Sequence, residues 1–392
     1  MPELPASQQP AAPQPATLPP AVRDPRLDVI RGLCLVMIFI NHVPGNWLEV
    51  FTTRNFGFSD AAEGFVIMSG IAAGLAYGPY FRAPMRVRTG LSRCWSRAWT
   101  LYLVHILTCM VALGLAAASV RYLGASEIFL RNNMAMVWQR PLEVLIGLPA
   151  LTHQFGYVNI LPMYLVLLLA TPFALIAAWR WPGWLLAGSV ALWAAAAWFR
   201  LGPPNYPQSG IWFFNPLSWQ LIFVIGLMTG VRIRQGRRLV PVRGWLLAIC
   251  LGWLVFAALA AQVPAINKAL GETLWALREA TNAPWFLVAF DKTYVSGPRL
   301  THILALAYVL SALPVVWRVC AHRAAAPLAL LGRQALPVFA LGSMLCIGAQ
   351  GVRLAAGGGI WLDLVLIATG LSAQLALAAA RQYWPKDAAP RA

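Results

Sequence analysis

The stretch Arg26-Leu27-Asp28-Val29-Ile30-Arg31-Gly32-Leu33, continued through Ile40-Asn41-His42-Val43-Pro44, decides how the chain is read. It is apolar from Leu33 to Ile40 yet carries Asp28, Arg31 and His42, and it reads as a first transmembrane helix. The step from Arg31 to His42 is eleven residues, which at about 100° per residue is three turns plus roughly 20°. Both side chains therefore fall on one stripe, roughly 16 Å apart along the axis. Ionisable groups on a membrane helix are costly unless they face a protein interior or a wet cavity. A cation low in such a cavity and an imidazole high in it suit a phosphate-bearing ligand and a proton-transfer step. The plainer reading is an Asp28–Arg31 pair at one membrane surface and an interfacial His42 at the other.

Composition places the whole chain in a membrane. Hydrophobic residues make up 59% and charged residues 11%, against about 25% charged in soluble domains. Eighteen tryptophans fit aromatic belts at the two interfaces. The net charge of +17 does not indicate nucleic acid, because the basic residues sit in short links between apolar segments and follow the positive-inside rule. The six cysteines contain no CxxC pair, so neither a disulfide frame nor a metal site is expected.

The expected fold is an all-α polytopic bundle of about ten transmembrane helices: 28–44, 61–80, 98–119, 157–179, 183–200, 216–231, 244–262, 299–318, 334–352 and 359–380. Residues 1–22, rich in Pro, Ala and Gln, read as a disordered cytoplasmic tail, residues 23–381 as one membrane domain, and residues 382–392 as a second cytoplasmic tail. Arginine clusters at 82–97, 232–243 and 318–333 mark alternate links, which puts both termini in the cytoplasm. Residues 120–156 and 263–298 are then long outer connections. Within the first, Leu142–Leu148 is too short to span and reads as interfacial or re-entrant.

The segments RLDVIRGLCLVMIFINHVPGN and TTRNFGFSDAAEGFVIMSGIAAGLAYG closely resemble the OpgC family of membrane succinyltransferases, within the acyltransferase-3 superfamily. That superfamily carries an arginine, ten residues and a histidine on its first helix, and Arg31 and His42 match the spacing. The resemblance continues in NILPMYLVLL (159–168), FNPLSWQLIFVIG (214–226) and LGRQALPVFALGSML (331–345). At Gln334-Ala335 the chain departs from the more polar pair expected there. The resemblance implies a multi-pass protein of the bacterial inner membrane that transfers an acyl group, succinyl in the family, from acyl-CoA to a periplasmic glucan.

The chemistry then falls on a few residues. His42 is suited to act as general base near neutral pH. Asp60 and Glu63 open the second helix as a capping box, and either carboxylate would also serve to orient His42. Arg31 and Arg97, with Asp28 beside them, are candidates for holding donor phosphates, because guanidinium groups bind phosphate bidentately. His105 lies mid-membrane, as a second catalytic group or a satisfied buried histidine. Asn159, Tyr164, Asn215, Trp219, Gln220 and His302 lie near outer helix ends as candidate acceptor contacts. No GxSxG elbow, P-loop or HExxH is present. The expected partners are acyl-CoA (as succinyl-CoA), a periplasmic glucan or another polysaccharide, and the lipid bilayer. No nucleic acid or metal is expected, and a homo-oligomer is compatible with the chain. The competing readings are an O-acetyltransferase of another surface polysaccharide and a polytopic transporter of acyl groups or small molecules.

Overall fold

The computed structural model describes residues 24–384. The two tails expected at 1–22 and 382–392 lie outside the described residues, apart from Gln382, Tyr383 and Trp384. Among the described residues the chain is almost entirely helical, with one isolated β-bridge (Pro204 to Ile211) and no strand.

The principal helices are α1 (Pro25–Asn41), α2 (Ala61–Tyr77), α3 (Val87–Leu123), α4 (Ile160–Arg180), α5 (Pro182–Trp198), α6 (Pro216–Arg234) and α7 (Gly244–Gln262). They are followed by α8 (Pro264–Thr281), α9 (Gly297–Ala312), α10 (Pro314–Ala321), α11 (Ala326–Arg333), α12 (Ala335–Ala356) and α13 (Ile360–Tyr383). Seven helices of the described residues are long and apolar enough to cross a membrane, or eight if the bent pair α9 and α10 counts as one crossing. Each of the ten segments expected from hydropathy overlaps a helix, but α1 and α5 have 17 residues each. At 1.5 Å per residue these reach about 25 Å against a hydrocarbon core of about 30 Å. The eighth expected segment is broken, with α9 and α10 meeting at 74°. Pro314 has no amide hydrogen to continue the helix and holds Leu313 in an extended conformation.

Local sequence sets the ends that matter for function. Asp24 caps α1 by accepting from the Arg26 amide, with Pro25 at the first helical position. Asp60 and Glu63 form the capping box of α2 that the sequence indicates. Two close crossings then bring the functional helices together. In the first, Gly32 of α1 lies against the Leu328 carbonyl while Gly332 of α11 lies against the Asp28 carbonyl. Any Cβ at either site would collide with backbone. In the second, Gly70 of α2 faces the Phe223 carbonyl and Gly226 of α6 faces the Ile67 carbonyl. Small residues at reciprocal positions let backbones approach where lipid supplies no hydrophobic drive for association.

The expected interfacial stretch forms the short helix Pro141–Gly147, with Leu142, Leu145 and Ile146 exposed. The amphipathic α8 has no buried residue at all.

Candidate functional site

The α1–α2–α11 crossings set Arg31 beside two backbone carbonyls, Gly332 at 3.4 Å and Met68 at 3.3 Å. Next to it opens a cavity of about 200 Å³, which Arg97 of α3 and Arg333 of α11 also line. Ser69 and Tyr77 of α2 and Tyr164 of α4 add hydroxyls. Apolar walls come from Leu101, Leu161 and Leu336, and no carboxylate lines the space. Asp28 pairs with Arg333 at 3.5 Å. Phe65 is the lining residue of α2 nearest the Asp60 end, and its ring stacks on Phe339 with centroids 6.2 Å apart. The cavity can take an anionic ligand with an apolar portion.

His42 ends α1 as its C-cap. Its carbonyl accepts from Gln350 Nε2 at 2.6 Å, and its ring packs on Tyr157 with centroids 4.2 Å apart. Tyr157 holds a positive φ of 70°, a conformation that costs energy in a non-glycine residue and recurs at functional sites. Arg353 fixes the chain just beyond, bonding the Pro44 carbonyl at 3.1 Å, the Gly45 carbonyl, and Asp363 at 2.7 Å.

The carboxylates of α2 meet two cations from the distant 285–312 region. Lys292 Nζ lies 2.5 Å from Asp60 Oδ2, and Arg299 Nε lies 2.7 Å from Glu63 Oε1. Arg299 also reaches Asp60 at 3.4 Å. Glu63 is fully buried. Burial alone would raise the Asp60 carboxyl, but Lys292 and Arg299 outweigh it and hold the group below the ordinary carboxylate range. Among the described residues neither carboxylate is hydrogen-bonded to the His42 ring.

The structure brings together some of the remaining candidates and separates others. Tyr164 lies in the arginine cavity, away from the helix end where acceptor contacts were expected. Trp219 is fully buried and donates to the Lys292 carbonyl at 3.1 Å, so it supports the loop that carries Lys292. Asn215 is buried, caps α6 at Leu217 and bonds the Leu201 carbonyl. Gln220 is engaged by Ser189 of α5 through both ends of its amide. His302 is buried against Ser59, with Nδ1 2.7 Å from its hydroxyl. His105 is buried beside Cys109 and bonds the Val158 backbone, the satisfied-histidine arrangement. Asn159 stays partly exposed, its side chain making no cap bond.

Sequence reasoning missed Tyr157, Lys292, Arg299 and Arg333. The one signal for Lys292 and Arg299 was a pair of cations near the end of an outer connection otherwise rich in apolar residues.

The family model described as OpgC protein matches residues 23–386. The chain belongs to the OpgC family. It is accordingly a membrane acyltransferase, of a family whose acyl transfer modifies periplasmic glucans, and it carries the Arg31–His42 spacing on α1. No curated protein and no solved structure matches the chain. Among the described residues no group of three or more His, Cys, Asp and Glu side chains is placed to hold a metal ion.

Proposed function

We propose that this OpgC protein moves a succinyl group from acyl-CoA, admitted on the cytoplasmic side, to a hydroxyl of a periplasmic glucan. The observation that carries the reading is the placement of Arg31, Arg97 and Arg333 around one cavity on the helix that ends in His42. Donor phosphates bind the guanidinium groups, whose planar, bidentate, charge-assisted bonds suit them. The acyl arm runs past Phe65 and Phe339 towards His42. There the imidazole takes the proton of the acceptor hydroxyl as its oxygen attacks the acyl carbon, and the thiolate of CoA leaves. Lys292 and Arg299 hold Asp60 and Glu63 in place, so both acids act through position. Tyr157 holds the imidazole plane. Ten crossings with both termini cytoplasmic agree with this arrangement, since they put His42 on the periplasmic side and Arg97 on the other.

Mass spectrometry of periplasmic glucans tests it, comparing cells that carry the wild-type gene, the His42→Ala variant or neither. A succinyl increment that appears only with the wild-type protein is the expected result. An acetyl increment would change the donor assignment. Unmodified glucan in all three strains would remove the acceptor assignment.

A further inference from the structure

A second feature shares no lining residue with the arginine cavity. Residues 136–140 and 207–209 face each other across an open groove of about 470 Å³, within the usual range of about 300–1,000 Å³ for ligand sites. Its polar lining is Gln139, Arg140, Gln208 and Ser209, with Met136 and Pro207 supplying apolar faces. None of the four polar side chains takes part in a hydrogen bond or ion pair within the described residues. Two amides, a hydroxyl and a guanidinium offer donors and acceptors at close spacing, between apolar surfaces. That mixture matches a sugar ring, which alternates hydroxyl groups with C–H faces. One arginine is too little for a nucleic-acid strand, and the lining is too polar for an acyl chain.

The groove is built rather than incidental. Its 203–212 wall is a closed loop, with Asn205 bonded to Gly210 and to the Ile211 carbonyl, and the Tyr206 amide bonds the Thr152 carbonyl. Its other wall leads back to Asn132 and Asn133, both at φ 60°. Asn132 Nδ2 donates to Gln350 Oε1 at 3.0 Å, and Gln350 in turn holds the His42 carbonyl. Asn133 bonds the Gln154 carbonyl, and the preceding residue, His153, is buried with Nε2 lacking a hydrogen-bond partner among the described residues. The segment leading into the 136–140 wall is thus tied, through Asn132 and Gln350, to the backbone carbonyl of His42.

We propose that this groove binds a segment of the acceptor polysaccharide remote from the sugar being acylated, a site that holds the polymer while His42 works on another unit. The proposal rests on the acceptor assigned under Proposed function. Holding a chain at a second point raises the effective concentration of its neighbouring hydroxyls at His42 without any change in the chemistry.

The test uses the purified full-length protein, acyl-CoA as donor and β-linked glucose oligosaccharides of increasing length as acceptors. In the wild type, KM should fall once the oligosaccharide is long enough to reach both sites. The double variant Arg140→Ala, Gln208→Ala should abolish that fall, raising KM for long acceptors about tenfold with kcat unchanged, as expected for the loss of one to two hydrogen bonds. KM for the shortest acceptor should not move. A KM independent of length in the wild type overturns the groove and leaves the acceptor assignment intact. A drop in kcat of the double variant at every length also overturns it, as damage to the framework. If no glucose oligosaccharide of any length is acylated, the acceptor assignment itself fails and this proposal with it.

Discussion

The two charged regions of the protein are built on opposite rules. Around the arginine cavity, inner in the proposed topology, three arginines meet no lining carboxylate, and Asp28 pairs with Arg333. In the cluster at the start of α2, outer in that topology, two acids face two bases at close range, and Glu63 is fully buried among them. The first region sets three cations around an open space that no carboxylate lines. The second is balanced, closed and directional. A cation-lined space is completed by an anion from outside the chain, whereas a balanced cluster is complete already and acts by holding its members still. The inner region therefore suits binding and the outer one suits positioning.

The sharpest way to break this division is at His42, the proposed base, which lines neither region. A general base contributes about 10²–10⁴-fold to rate, so His42→Gln should lose most transfer while acyl-CoA binding persists. Single-turnover transfer and donor binding on the same purified sample separate the two. Near-normal transfer in His42→Gln would end its role as base. Next in size is the outer cluster. Arg299→Leu leaves Glu63 buried without its partner, which costs about 3–5 kcal/mol and should lower the unfolding temperature in detergent sharply. The double variant Arg299→Leu, Glu63→Leu should recover much of that loss. If the single variant unfolds like the wild type, the cluster is not what holds these helices.

Smaller effects refine the inner region. Arg31→Lys keeps the charge and loses the planar fork, so acyl-CoA binding measured by calorimetry should weaken about tenfold, or about 1.4 kcal/mol. Equal affinity would mean that charge alone matters there. The smallest effect is that of salt. Raising ionic strength from about 0.1 to about 1 M shortens the screening length from about 10 to about 3 Å. Donor binding at the half-exposed arginines should fall a few-fold while the unfolding temperature, governed by the buried outer pairs, barely moves. A larger shift in unfolding than in binding would reverse the assignment of the two regions.

Much of this was legible in the chain. The Arg31–His42 spacing marks the helix that joins the two regions, and the Asp60–Glu63 capping box is present as its residues indicate. Helix boundaries such as Pro216–Arg234 and Gly244–Gln262 follow from apolar length and local breakers. Pro314 was equally visible, yet hydropathy averages across a proline and so merges α9 and α10 into one segment. The partners of Asp60 and Glu63 were hidden for another reason. Lys292 and Arg299 lie more than two hundred residues away, and no local pattern states which loop folds back onto which helix end. Tyr164 was assigned to the acceptor side because it starts a helix near Asn159, but one turn into a helix a long side chain reaches the next layer of the bundle. Asn215, Trp219, Gln220 and His302 were singled out as polar or aromatic groups near outer helix ends, and residue type and position alone do not distinguish a ligand contact from a bond that holds the fold.

The Phe65–Phe339 stack carries a consequence for the cell. An enzyme served from both faces of a membrane comes close to being a pore, and a continuous column of water through it would drain the ion gradient on which the membrane depends. On the proposed route of the acyl arm, the stacked Phe65 and Phe339 rings are an apolar point, the kind of surface that sheds water and ions by dewetting. Under the proposed function, two rings at that point keep the donor's route from becoming a water-filled passage between the faces of the membrane.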